Sequence, residues 1–207
     1  MIRIREAFDA CISELQAHSQ IAITHRWLGA RATDEELARV EAAMGPLPSD
    51  VRAFYKQCNG AQLRWIDRLS AEHTERDDAP QITEYDWHIE GDDPSADGVI
   101  HFVPLSGLIE NASGDESEEH LRIFDSFGAS SGSIALLREG RTGPLTTRLT
   151  LGSDSNACWD DCDMTFAPYV EAVIGCRGHI DRRFDILLGR ARTGWTLPLR
   201  TRTRIGS

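Results

Sequence analysis

The sequence predicts an α+β fold, with N-terminal helices packed on a mostly antiparallel sheet and a closing helix toward the C-terminus. Three observations carry this. Apolar residues recur at helical spacing as far as Gly60; short alternating or apolar runs between Gly-, Asp- and Pro-rich turns continue as far as Leu151; helical spacing then returns from Phe166. Helices, then strands, then a helix is the order of segregated layers, not of alternating β-α units.

Residues 4–18 open the chain as a helix, with Ile4, Phe8, Cys11, Ile12 and Leu15 on one stripe. Residues 21–27 form a connector or short strand. Residues 33–60 then read as two helices around a proline-pinned turn. Thr33 and Glu36 have the spacing of a capping box, and Leu37, Val40 and Met44 form the buried stripe. Gly45, Pro46 and Pro48 stop that helix. Ser49 or Asp50 caps the next, whose stripe is Val51, Phe54, Tyr55 and Cys58, and Asn59-Gly60 ends it.

Residues 62–66 leave this turn as a strand, and residues 67–79 are polar loop or a solvated helical turn. Residues 82–89 alternate as a half-buried strand, residues 91–98 turn, and residues 99–103 return. A short helical segment over 105–111 and an acidic loop over 112–119 come next. Two more strands, 121–127 and 133–138, flank a Gly128-to-Gly132 turn, and 145–151 gives another. Residues 152–163 read as a loop of small and acidic residues. Thr165 caps a helix carrying Phe166, Tyr169, Val170 and Val173. Beyond it, residues 180–191 are helical and residues 194–207 extended, and this basic tail either docks on the protein's own acidic body or is flexible. One domain over 1–176 with a basic extension over 177–207 is the expected organisation.

These features resemble a known family. An acidic first turn, Leu37-x-x-Val40-Glu41, Gly45, Leu47-Pro48 and a helix ending in Asn59-Gly60 are similar to the signature of the SUKH superfamily. The likeness continues in Phe102-Val103-Pro104-Leu105, in the glycine-centred hairpin Ile123-Phe124-Asp125-Ser126-Phe127-Gly128 with Gly132-Ser133-Ile134-Ala135-Leu136, and in the Phe166-x-x-Tyr169 helix. It spans roughly residues 30–175. The stretch between Gly60 and Gln81 and the tail after Gly175 depart from the family pattern. The superfamily includes yeast cell-wall-synthesis regulators and bacterial immunity proteins. The resemblance therefore implies a binding protein that neutralises a cognate toxin, often a nuclease or other enzymatic toxin, or else a regulatory or scaffolding module.

Composition sets bounds of its own. With 41% hydrophobic and 27% charged residues the chain is of globular type, and no apolar run approaches a membrane span. The N-terminus lacks a signal-like apolar core, and five cysteines without a dense framework fit a reducing cytosol. The net charge is −11. Eight Arg against Asp181 and Asp185 make the tail after Cys176 +6, so residues 1–176 carry −17. Such a body disfavours nucleic acid and favours a basic protein partner.

The acidic residues concentrate in mid-chain. Asp77, Asp78, Glu84, Asp86, Trp87, Glu90, Asp92, Asp93, Glu116, Glu118 and Glu119 are the expected partner-binding set, with Trp65 and Tyr85 as anchors or core. The alternative is a solvated rim that keeps the protein soluble. Two catalytic lures compete. Gly128-Ala129-Ser130-Ser131-Gly132 matches G-x-S-x-G, but a nucleophile elbow needs a long helix after it, and only seven residues separate Gly132 from Gly140. Cys158, Cys162, Cys176 and His179 would suit tetrahedral zinc, or are four ordinary residues. The Trp159-to-Asp163 run lacks the spacing of a calcium loop. No P-loop, dinucleotide or kinase motif appears. The expectation is a non-enzyme without catalytic residues, cofactor or metal.

Overall fold

The computed structural model describes residues 3–69, 97–110, 120–127, 132–140, 143–153, 158–187 and 189. Among them the chain runs α1 (Ile4–Gln16), β1 (Ile21–Leu28), α2 (Asp34–Met44), α3 (Ser49–Tyr55), β2 (Ala61–Asp67), β3 (Gly98–Phe102) and α4 (Gly107–Glu110). It continues with β4 (Leu121–Ser126), β5 (Ser133–Arg138), β6 (Leu145–Ser153), β7 (Cys158–Thr165), α5 (Phe166–Gly175) and α6 (Ile180–Leu187). The seven strands form one sheet in chain order, every neighbouring pair antiparallel. The α+β class is therefore the observed one.

The local signals at α2 act as their chemistry dictates. The Thr33 hydroxyl accepts from Glu36 N at 3.1 Å, and the Glu36 carboxylate accepts from Thr33 N at 2.7 Å. Two N–H groups that the helix leaves unpaired are thus satisfied reciprocally. Those bonds from the Thr33 backbone and hydroxyl hold the Glu36 carboxyl below its ordinary range. Thr33→Ala is expected to cost about 1 kcal/mol in urea denaturation at neutral pH. A depressed folded pKa gives stability that is present above the unfolded value and lost as pH falls through the folded one. The penalty of Thr33→Ala therefore shrinks in acid.

Other helix ends differ from expectation. α3 stops at Tyr55, because Gln57 N turns back to Phe54 O at 2.8 Å. Cys58 is buried outside the helix, and Pro48, not Ser49 or Asp50, holds the N-cap position. Gly60, at φ +92, opens β2; a Cβ there would lie 2.9 Å from Phe102 O. α1 has no side-chain cap of its own, and its Ile4 N is served by Gln57 Oε1 at 2.9 Å. Thr165 precedes α5 without a capping bond.

The helices α1, α3 and α5 pack together, α1 lying on β1 and α5 on β6 and β7. Their apolar stripes meet the strand face that carries Leu63 opposite Ile100, Ala61 opposite Phe102 and Leu136 opposite Leu149. Phe54 of α3 sits at the centre. Its ring is edge-on to Tyr55, Phe102, Phe124 and Phe166 at centroid distances of 5.1, 5.7, 5.4 and 5.7 Å. Trp65 is buried, with its indole N–H donating to Arg177 O at 2.7 Å, so it is a core residue.

The ladder is interrupted between β3 and β4, which share a single Cα pairing, Phe102 with Asp125. A bulge between Ile123 and Asp125 bends β4 away. Three alternate amides on that edge of β3 are served by three different partners. Val103 N bonds Phe124 O at 2.9 Å, His101 N bonds the Asp125 carboxylate at 3.2 Å, and Val99 N bonds Gly178 O at 2.9 Å. The segment after α5 thus stands where β4 does not reach.

Candidate interaction surface

All eleven residues of the expected partner-binding set, from Asp77 to Glu119, lie outside the described residues, as does Tyr85. The described residues fix where the segments that carry them are rooted. Residues 70–96 join β2 to β3, and residues 111–119 lie between α4 and β4. The first root is tied by Asp67 N to Asp97 Oδ2 at 2.6 Å, Asp97 N to Trp65 O at 3.2 Å and Arg68 N to Gln20 O at 2.8 Å. The second is tied by Leu105 N to Asn59 Oδ1 at 2.6 Å and Arg138 N to His120 O at 2.9 Å. The meander puts these roots at opposite ends of β3, separated by about 17 Å at roughly 3.4 Å per residue.

Charge gives these segments their weight. Residues 70–96 hold nine acids against Arg76, and residues 111–119 hold four acids and no base. Together they carry −12, while the whole chain carries −11. The rest of the chain is accordingly close to neutral, and several acids on its described surface have local partners. Asp34 pairs with Lys56 at 3.1 Å and Glu41 with Arg52 at 3.0 Å. On β7, Asp161 pairs with Arg148 at 2.8 Å.

Neither catalytic lure gains support from the geometry. Ser130 lies outside the described residues. The glycine-serine stretch leads into strand β5, hydrogen-bonded back to β4, where an elbow needs a helix. Cys162 lies on a strand, β7, in place of the expected loop, and Cys176 comes directly after α5. The Cys176 thiol is buried and donates to Val173 O at 3.4 Å. Burial raises both thiols, Cys162 to about 11, where the Asp160, Asp161 and Asp163 charges add to it. The metal-binding thiolate is disfavoured at both. Among the described residues no three His, Cys, Asp or Glu side chains converge on a metal position.

Sequence reasoning misses a polar group buried in the interior. Asp125, Tyr169 and Arg183 are each fully buried. Asp125 Oδ2 accepts from the Tyr169 hydroxyl at 2.6 Å and lies 3.1 Å from Arg183 Nη1. Arg183 also stacks over the Phe127 ring, its Cζ 4.5 Å from the centroid. Burial opposes the guanidinium charge most strongly, but Asp125, Tyr169 and Cys176 together outweigh it, so the arginine pKa is raised. Burial, with the Asp125 charge beside it, also holds the Tyr169 hydroxyl well above its usual value. The group is closed off from solvent and ties β4, α5 and α6 together.

A sheet backed by helices, a core tied by a buried ion pair, and acid-rich connections at both ends of one strand make up this α+β domain. Residues 31–129, somewhat under half of the chain, match the sequence model of the SMI1 / KNR4 family (SUKH-1), and this similarity supports membership of the SUKH superfamily. No curated protein and no solved structure gave a match. Among the described residues no helix is long and apolar enough to cross a membrane.

Proposed function

We propose that the protein is an immunity protein. It binds a cognate bacterial toxin, a nuclease or other enzymatic toxin, and neutralises it by occluding the toxin's active site. The carrying observation is that more than the entire net charge sits in two short segments rooted at the ends of one strand of a SUKH scaffold. A substrate cleft that handles phosphates is basic, and an anionic surface steers to it, holds it and excludes substrate. The partner is a protein; direct nucleic-acid binding is disfavoured by the sign of the charge. The toxin and its inhibitor meet in the cytoplasm.

The test has two stages. The tagged protein is used to capture partners from its native cells at low and high salt, and the captured protein is assayed with and without stoichiometric addition. One basic enzyme, held in a salt-sensitive way and inhibited on addition, is the expected result. Capture of several non-enzymatic proteins favours the regulatory or scaffolding reading instead. With the partner in hand, Asp92→Arg combined with Asp93→Arg is expected to lower the association rate at least tenfold at low salt, with little change in the dissociation rate. An unchanged association rate would exclude electrostatic steering through these residues.

A further inference from the structure

We infer that the turn after α5 and helix α6 form a strap that closes the seam between β3 and β4, locked by Arg183 on Asp125. The strap opens as a unit before the rest of the sheet. The inference stands independently of toxin binding.

Three observations carry it. First, the strap supplies what β4 lacks. Gly178 O takes the Val99 amide, Ile180 N reaches Asp97 O at 3.3 Å, and Gly98 and His179 form an isolated bridge. Arg183 seats the Asp125 carboxylate that serves the His101 amide. Second, the lock is only partly satisfied. Arg183 meets Asp125 without hydrogen-bond alignment, and its Nε and Nη2 have no hydrogen-bond partner among the described residues. A desolvated pair of this kind fixes position while adding little net stability. Third, the hinge is strained and the helix short. Arg177, a non-glycine residue, lies at φ +58 next to Gly178 at φ +70. The eight-residue α6 is too short to persist without its buried contacts, Arg183 and Leu187. A segment with few ladder bonds and a costly lock is the kind that opens locally.

Amide hydrogen exchange on the full-length protein tests this. The amides of Val99, Gly178, Ile180 and Arg183 are expected to exchange as one group, at least tenfold faster than the slowest amides of the β5–β6 ladder. Arg183→Lys keeps the charge and loses reach. It is expected to accelerate that group by a further tenfold or more and leave the β5–β6 ladder unchanged. Gly178→Ala attacks the strap from its other end, since a Cβ there meets Val99 O, and is expected to give the same selective pattern. Equal exchange of strap and ladder in the wild type would overturn the inference, as would uniform acceleration in the variants. Loss of folding in both variants would overturn it too, because the strap would then not be separable from the rest.

Discussion

Asp125→Ala is expected to lower the unfolding free energy by about 3–5 kcal/mol, the usual cost of breaking a buried pair from one side. At ~2–4 °C per kcal/mol for a chain of this size, the thermal midpoint falls by roughly 10 °C. The reason is the number of donors left behind. The His101 amide and the Tyr169 hydroxyl donate to one carboxylate and the Arg183 guanidinium is ion-paired with it, so alanine leaves two donors and a buried cation behind. Asp125→Asn keeps an acceptor and is expected to cost less. The pH profile adds a second readout. Tyr169 is raised from an ordinary value of 10.0, so its contribution is complete below that value and is lost as pH rises above it. The alkaline loss should persist in Asp125→Ala, because burial is the larger cause of the shift, and be smaller in extent, because the neighbouring charge is gone. A loss below about 1 kcal/mol would mean that the site relaxes or admits water.

The parts of this structure that are legible in the sequence are those whose cause is local. Thr33 and Glu36 are three residues apart, and their capping box needs nothing else. The stripes Ile4, Phe8, Cys11 and Leu15, and Val51, Phe54 and Tyr55, are periodicities that any core would use. Strand β7 reads as loop in the sequence because Asp160, Asp161 and Asp163 dominate it. Yet Asp161, Asp163 and Thr165 are exposed while Cys162 and Met164 are half-buried, the alternation of an edge strand. The period is present; the acidity hides it. Arg183 is one of eight arginines in a basic tail, and nothing near it in sequence shows that it will be buried against a carboxylate 58 residues away. The eleven acidic-segment residues are the opposite case: composition marks them, and the described structure supplies only the strand on which their segments are rooted.

Phe54→Ala is the second large effect, expected at about 3–5 kcal/mol in urea denaturation with no change in slope. Four aromatic rings lose their common neighbour, and the cavity is enclosed by α3, β3, β4 and α5, none of which collapses inward without disturbing the others. Phe54→Leu fills most of that space and should cost much less. The informative experiment is the pair with Phe166, because Phe54, Phe102 and Phe124 lie inside the stretch that matches the family and Phe166 lies beyond it. A double-mutant cycle with Phe166→Ala is expected to show a coupling of about 0.5–1.5 kcal/mol, the range for edge-on aromatic pairs. Coupling of that size within one transition is what a single domain over residues 1–176 requires. Independent losses and two separated transitions would divide the chain near the end of the matched stretch, and α5 would then belong to a unit of its own.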